Sequence, residues 1–211
     1  EIPTNTGSTR MLDLGANVDS CAEHLCQFAI LGSLLVSAVD KIEYPRVGLL
    51  NIGAEEIKGN DQVKRTAQLL SEIKDINYIG YVEGDSMLEG VADVVVCDGF
   101  VGNVALKVME GSLKIIANFL REAYHRNLFT KFAGWTSRPV LNHVKKRLDP
   151  ARYNGASLVG LNGIVIKSHG GANDLAFYSE IQEAITKFEN NVPQMIVEQV
   201  SELLLHGGVY E

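Results

Sequence analysis

A lysine and an asparagine in two glycine-containing loops have the chemistry to bind an anion. Lys58 precedes Gly59 and Asn60, and its ammonium group can hold a phosphate as a point charge. Asn103 follows residues 98–102 (DGFVG), which we interpret as the start of a helix with unpaired backbone N–H groups. Glycines in both loops let the backbone approach a ligand closely. The pattern indicates a site for an anionic, phosphate-containing ligand.

A histidine in a later loop adds a candidate for proton transfer. His169 lies between Ser168 and the pair Gly170-Gly171, and an imidazole can both donate and accept a proton near neutral pH. The loop also contains Lys167. No GxxxxGK[ST] or GxGxxG string occurs in the sequence, so the nucleotide-binding fingerprints are absent.

Each of these features also has an ordinary structural explanation. Asparagine and aspartate at positions 60, 61, 103, 173 and 174 are typical helix caps. Lys58 alone is compatible with a solvated surface lysine. Cys97 lies in an apolar run, which favours a buried small hydrophobe over a nucleophile. Asp13, Asp19 and Asp98 could ligate a metal, but their spacing supports no such site and we predict none.

Four stretches show an apolar strand that ends in a glycine-containing loop and is followed by a helical pattern. They are residues 11–19, 47–53, 94–103 and 164–174, and a further strand is predicted at 78–82. Near-continuous apolar strands that alternate with helices predict a doubly wound α/β fold, with a mostly parallel sheet in a three-layer αβα arrangement. Ligands bind beyond the carboxyl ends of such strands, so we expect all four loops to converge there. Pro193 predicts two helices near the end of the chain.

The composition excludes several classes of protein. Hydrophobic residues make up 46% and charged residues 21%, which excludes wholesale disorder. A net charge of −7 argues against nucleic acid as a partner. Three cysteines without a CxxC string predict a reducing cytoplasm. No apolar run reaches the roughly 18 residues of a membrane-spanning helix.

Residues 121–148, called here the basic segment, differ in composition from the rest. They carry seven basic residues and one acidic residue, a net charge of +6, together with apolar residues at helical spacing. We predict a protruding, amphipathic helical insertion that docks on an anionic membrane or on an acidic partner protein. The candidate docking residues are Phe129, Phe132, Trp135, Lys145, Lys146 and Arg147.

Several strings resemble motifs of bacterial phosphate acyltransferases of the PlsX type. They are residues 12–19 (LDLGANVD), 46–60 (RVGLLNIGAEEIKGN), 98–104 (DGFVGNV), 153–156 (YNGA) and 165–170 (VIKSHG). The likeness runs from about Met11 to beyond Asp174. Five ordered motifs are far more specific than a single glycine-rich loop.

The resemblance implies a reaction, a fold and partners. Members of this family transfer a long-chain acyl group from the thioester of acyl carrier protein to inorganic phosphate. The acyl phosphate product is used by a membrane glycerol-phosphate acyltransferase to start phospholipid synthesis. The resemblance further implies a homodimer with an isocitrate/isopropylmalate dehydrogenase-like fold and no organic cofactor. The enzyme is expected in the cytoplasm, peripherally associated with the inner face of the cell membrane.

The resemblance also points to individual site residues. It favours Lys58 and Asn103 as residues that stabilise the phosphate or the developing oxyanion. We add His169 as a group that binds phosphate or protonates the leaving sulfur. Residues expected to surround the substrate are Gly15, Asn17, Gly59, Asn60, Asp98, Gly99, Gly102, Lys167 and Gly170.

Two other interpretations of the sequence stay open. One is a short-chain phosphotransacylase that uses acyl-CoA, and the other is a non-catalytic fragment that dimerises or associates with a membrane. The family has a further segment before the motif at Leu12. We therefore expect residues 1–211 to be the C-terminal part of a single acyltransferase domain.

Overall fold

A five-stranded sheet forms the centre of the protein. The computed structural model describes residues 1–148, 155–168 and 170–206, with side chains up to residue 200. Strand order in the sheet is β1-β2-β5-β3-β4, in which β1 is antiparallel to β2 and the other neighbours are parallel. The strands are β1 (Ile2–Pro3), β2 (Ser8–Leu12), β3 (Arg46–Leu50), β4 (Asn77–Val82) and β5 (Val94–Val96).

Helices cover both faces of this sheet. On one face, α1 (Ala22–Asp40) and α2 (Asp61–Glu72) pack on alternate residues of β3 and β5. On the other face, α3 (Gly84–Glu89) and the beginning of α4 (Gly99–His125) pack on the intervening residues. The central strand β5 is buried on both sides, which explains its unbroken valine sequence. The predicted α/β fold with a mostly parallel sheet is confirmed, and its coverage is consistent with three αβα layers.

The fourth predicted strand does not join this sheet. β7 (Ile166–Lys167) pairs antiparallel with β6 (Ala156–Ser157) in a separate two-stranded sheet. Val165, which was expected within a strand covered on both faces, is 43% exposed. The expectation that four loops share one sheet edge is therefore wrong for the fourth loop, because β7 has no place in the parallel ladder.

The remaining helices lie in the C-terminal half of the chain. The basic segment comprises the end of α4, then α5 (Leu128–Thr136) and α6 (Arg138–Arg147). Two further helices, α7 (Asp174–Glu189) and α8 (Val192–His206), are separated just before Pro193, as predicted. Val192 and Ile196 of α8 pack against Leu35 of α1, so α8 extends the core on that face.

A partly buried group of charges joins α7 to the sheet, with Arg10 and Lys187 buried and their carboxylate partners more exposed. Arg10 of β2 forms a two-point ion pair with Asp40 at the end of α1, with N–O distances of 2.8 and 3.0 Å. Glu183 of α7 lies 3.7 Å from the same guanidinium and also pairs with Lys187. Burial is the main cause that holds the pKa of Lys187 below its ordinary value, and the neighbouring carboxylate of Glu183 acts in the opposite direction. Such a network fixes the position of α7, because removing one partner would leave a buried charge unpaired.

Helix α1 is apolar enough to meet a length and hydropathy test for a membrane-spanning helix. In the described part of the chain it is the one helix that does so, although the sequence was not expected to contain such a stretch. More than half of it is buried inside the protein. Leu25 and Ile30 are fully enclosed among side chains of β3 and β5. We therefore interpret α1 as a core helix.

This assignment of α1 predicts a large difference between two leucine substitutions in the intact protein. Leu25→Ala should lower the free energy of unfolding by about 2–5 kcal/mol, because it leaves a cavity against the sheet. Leu128→Ala removes the same atoms from a side chain that is 84% exposed and should change stability by less than about 0.5 kcal/mol. Urea denaturation measures both. Equal effects of the two substitutions would contradict the core position of α1.

Candidate functional site

Three loops leave the sheet side by side at the carboxyl ends of β2, β5 and β3. The register pairs Leu12 with Val96 and Val96 with Leu49, so the three strands end at the same level. Neighbouring strands lie about 4.8 Å apart, which places the starts of the two outer loops about 10 Å from each other. The candidate site therefore consists of loop 13–21, loop 51–60 and the N-terminus of α4.

The side chain of Asp13 organises loop 13–21. Its Oδ1 accepts hydrogen bonds from the backbone N–H groups of Gly15 and Ala16, at 2.8 and 2.7 Å. Its Oδ2 accepts from the backbone and the side chain of Asn17, at 2.7 and 2.8 Å. Burial raises the pKa of Asp13, but the hydrogen bonds from Ala16, Asn17 and Gly15 together outweigh burial and hold it below its ordinary value. An ionised carboxylate thus sets the shape of this loop.

The N-terminus of α4 packs directly on the backbone of loop 13–21. A Cβ atom on Gly99 would lie 1.9 Å from the carbonyl oxygen of Asn17, and one on Gly102 would lie 1.8 Å from that of Asp13. Both glycines are buried, and only a residue without a side chain fits at either position. On their Cβ sides the two glycines contact the backbone of loop 13–21, and their predicted contact with the substrate stays a prediction.

Asn103 contacts the same loop from the first turns of α4. Its side-chain Nδ2 donates a hydrogen bond to the carbonyl oxygen of Leu14 at 3.0 Å, and the residue is exposed. This contact uses one of the two N–H donors that an amide carries. Gly15 lies against the Asn103 side chain. The structure thus brings Gly15, Asn17 and Asn103 together.

Two of the predicted substrate residues cap helices. The Asp98 carboxylate accepts a hydrogen bond from the backbone N–H of Val101 at 2.8 Å, and Asn60 accepts one from Val63 at 2.9 Å. The capping alternative considered for Asn60 is confirmed, whereas Asn103 lies inside α4 and is not a cap. Capping by Asp98 also places a carboxylate beside the positive end of the α4 dipole.

Lys58 lies on loop 51–60, which is largely exposed. Its Nζ is 3.0 Å from Oε2 of Glu55 and its side chain is 44% exposed. Gly59 follows with φ of +92°, a conformation that favours glycine. The ammonium group is accessible to an anion beyond the carboxyl end of β3, which is the position that the sequence predicted for Lys58.

Exposed apolar side chains surround this edge of the sheet. They are Val18 (69% exposed), Ile52 (78%), Ile57 (82%) and Phe100 (64%). Each comes from one of the three site elements. Exposed aliphatic and aromatic side chains on the same elements as the polar groups offer contact area to an apolar ligand.

The remaining candidate residues lie elsewhere or outside the described residues. Lys167 is the last residue of β7 in the separate two-stranded sheet and Gly170 lies beyond it, and both residues are exposed. His169 lies outside the described residues, as do the tyrosine and asparagine of the 153–156 motif. Cys97 is buried, and burial raises the pKa of its thiol to about 12, which supports the structural interpretation.

Two organising residues were not recognised in the sequence as parts of the site. Asp13 had been considered only as a metal ligand, yet its carboxylate is occupied by four N–H donors. Asn51 begins loop 51–60, and its Nδ2 donates to the carbonyl oxygens of Gly53 and Lys58. Both residues precede a glycine by two positions at the end of a buried strand. That shared polar-x-Gly pattern is the signal that could have identified them.

The basic segment exposes the side chains that were predicted to dock. Phe129, Phe132 and Trp135 of α5 are exposed, and the rings of Phe132 and Trp135 lie 5.9 Å apart. Lys145 and Lys146 are exposed in the last turn of α6. Arg147 instead donates a hydrogen bond to the carbonyl oxygen of Asn5 at 2.6 Å, which ties the end of α6 to the beginning of the chain.

The depressed pKa of Asp13 predicts a pH dependence of stability. The stabilisation is complete above the unfolded-state pKa of about 3.9 and is lost as pH falls through the lower folded-state pKa. Asp13→Asn should cost about 1–3 kcal/mol at pH 7, because an amide cannot accept four N–H donors. Below pH 4 the difference from the wild type should shrink. A difference that grows on acidification, in denaturation curves of the intact protein, would contradict the assignment.

The family match and the similar proteins of known name agree with each other. Residues 1–195 match the fatty acid synthesis protein family. A phosphate acyltransferase of Legionella pneumophila (strain Corby) is 57% identical over 98% of this chain and 60% of its own length. Phosphate acyltransferases of Alkalilimnicola ehrlichii and Nitrosococcus oceani are 58% and 53% identical, over 96% and 99% of this chain and 59% and 61% of their own lengths.

The chain thus spans about three fifths of the length of the curated relatives that it matches. The match nevertheless extends through β1–β5, all the loops of the candidate site and the basic segment. The resemblance that the five motifs indicated is confirmed, and the chain belongs to the fatty acid synthesis protein family.

Proposed function

We propose that the whole protein transfers a long-chain acyl group from the thioester of an acyl carrier protein to inorganic phosphate. The observation that carries this proposal is the set of side chains on loop 13–21, loop 51–60 and the N-terminus of α4. The site elements carry a lysine ammonium, an asparagine amide and several exposed apolar side chains. The two polar groups can donate to a phosphate, and the apolar side chains offer contact area to an acyl chain. The names of the relatives, phosphate acyltransferase, support the same reaction.

The chemistry needs positioning more than it needs a protein nucleophile. A phosphate oxygen is already negatively charged at pH 7 and attacks the thioester carbonyl carbon. A C–O bond forms, the C–S bond breaks, and the carrier leaves as a thiolate with a pKa near 8.5. Holding phosphate against the thioester can lower the barrier by several kcal/mol, because a bimolecular step becomes effectively unimolecular.

Lys58 and Asn103 have the main roles in this mechanism. Lys58 binds phosphate or the developing oxyanion, with Glu55 holding its ammonium until the anion arrives. Asn103 uses one side-chain N–H in its hydrogen bond to Leu14, and it donates the second N–H to the same phosphate or oxyanion. A donor aimed at the oxyanion is typically worth about 3–4 kcal/mol. His169, by its chemistry, binds phosphate or protonates the leaving sulfur.

The other predicted residues act around these two. Asp13 keeps Gly15 and Asn17 in place, and Asp98 and Asn60 cap the helices that begin at the site. Lys167 and Gly170 remain candidates for contact with phosphate through their charge and backbone. The exposed apolar side chains of the site elements favour a long-chain donor over a short-chain acyl-CoA.

We further propose an oligomeric state, a fold and a location for the whole enzyme. The enzyme acts as a homodimer with an isocitrate/isopropylmalate dehydrogenase-like fold, at the cytoplasmic face of the cell membrane. Its product passes to a membrane glycerol-phosphate acyltransferase. The basic segment mediates the membrane contact, since exposed aromatic residues accompany its positive charge.

Activity of the full-length protein tests the reaction and the two main roles. Release of free carrier thiol from palmitoyl-carrier protein should require phosphate. Lys58→Ala and Asn103→Ala should each lower kcat/KM by roughly 10²–10³-fold, through loss of oxyanion stabilisation. Lys107→Ala is the matched control, because Lys107 also pairs with a glutamate three residues away. It should retain the wild-type rate.

Three results would contradict this assignment. Turnover of acetyl-CoA without release from the palmitoyl-carrier protein would move the reaction to short-chain phosphotransacylation. Thiol release that continues without phosphate would exclude phosphate as the acceptor. Full activity of both the Lys58 and the Asn103 variants would remove these residues from the mechanism.

Flotation with anionic liposomes tests the membrane contact of the basic segment. Binding should persist at high salt, because inserted apolar side chains are not screened by ions. The double substitution Phe132→Ala and Trp135→Ala should abolish the salt-resistant part. Phe188→Ala is a suitable control, since Phe188 is an exposed aromatic residue of α7. Binding by the wild type that disappears with salt alone would indicate a purely electrostatic contact instead.

A further inference from the structure

The loop that carries Lys58 is closed by one buried amide. Asn51 follows β3, and its backbone N–H donates to the carbonyl oxygen of Val82, which holds the residue to β4. Its side-chain Nδ2 donates to the carbonyl oxygens of Gly53 at 3.1 Å and of Lys58 at 3.2 Å. Asn51 is 9% exposed, whereas the residues between Gly53 and Gly59 are exposed. A single side chain therefore joins the two ends of an otherwise solvated turn.

Gly53 determines the path of the Lys58 side chain. A Cβ atom at position 53 would lie 2.3 Å from Cδ and 2.9 Å from Nζ of Lys58. The lysine side chain thus runs across the face of the glycine, in the space that any other side chain would occupy. Gly53 is buried although it lies in an exposed loop, and this crossing explains its burial.

Gly59 completes the arrangement on the other side of Asn51. A Cβ atom there would lie 2.4 Å from Oδ1 of Asn51, so the backbone passes directly over the amide. The asparagine is consequently enclosed between the two glycines that precede and follow Lys58. Its amide donates to carbonyl groups on either side, those of Gly53 and Lys58.

We infer that Asn51 and Gly53 are positioning residues for Lys58. Asn51 fixes the backbone of the lysine, and Gly53 leaves the space through which its ammonium reaches the site edge. This inference rests on the proposed function, in which Lys58 binds phosphate or the oxyanion. It adds that the affinity of the site for phosphate depends on two residues that do not touch the substrate.

Two substitutions in the full-length protein separate backbone fixing from side-chain path. Asn51→Ala removes both hydrogen bonds, so amide hydrogen exchange across residues 52–59 should become faster. Gly53→Ala leaves Asn51 in place and pushes the flexible lysine aside, so exchange there should stay near the wild-type rate. Both variants should raise KM for phosphate more than they lower kcat, with a loss in kcat/KM of roughly 10- to 100-fold.

Matched controls use the same substitutions at sites away from the loop. Asn77→Ala removes an asparagine whose side chain donates to Tyr44 at the opposite edge of the sheet. Gly111→Ala adds a Cβ atom in open space on α4. Both should leave loop exchange and the KM for phosphate unchanged.

A double-mutant cycle with Lys58→Ala decides the inference. If Asn51 and Gly53 act through the lysine, their substitution should cause little further loss once Lys58 has been removed. Full additivity would overturn the inference, as would wild-type KM for phosphate in Gly53→Ala. Failure of the proposed function looks different, because Lys58→Ala alone would then retain the wild-type rate or the wild type would show no phosphate-dependent release.

Discussion

The close approach of α4 to the loop after β2 is the constraint on which the candidate site depends. Two glycines of the helix lie so near the carbonyl groups of Asp13 and Asn17 that no side chain fits between the two backbones. The helix can begin there only because the loop has one fixed shape. The Asp13 carboxylate provides that shape by binding the next N–H groups of the chain. The position of Asn103 follows from this contact.

The second site loop is built on the same principle. A polar side chain at the end of a buried strand folds back on its own loop, and a glycine two residues later accommodates it. In the first loop the group is an acceptor that binds N–H donors, and in the second it is a donor that binds carbonyl oxygens. The backbone of the two loops therefore determines most of the shape of the site. The side chains of Lys58 and Asn103 extend from backbone segments that are already held in place.

The sequence was sufficient for those elements in which the pattern of apolar residues decides the structure. Val94–Val96 and Arg46–Leu50 were recognisable as buried strands, and the helices that cover them show clear apolar spacing. Lys58 and Asn103 could be assigned to the carboxyl end of the sheet because they follow such strands in the sequence.

Prediction failed where the deciding contacts are distant or involve the backbone. Residues 164–166 are an apolar run of the kind expected in the main sheet, but the strand Ile166–Lys167 pairs with another short strand of the same region. The polar-x-Gly pattern marks Asp13 and Asn51, but it does not show which N–H or carbonyl groups these two side chains bind. The close contact of the α4 glycines with the backbone of loop 13–21 was likewise not visible in the sequence.

The position of β5 in the sheet has a consequence for the order of folding. Strands β2 and β3 are not neighbours, because β5, which is made after both of them, lies between the two. While the chain is being synthesised, neither strand has its full set of backbone partners before Val96 has left the ribosome. The apolar faces of α1 and α2 also lack the middle of the surface that they cover until then. Folding of this sheet is thus inherently non-local, and its three-residue central strand is the piece that closes it.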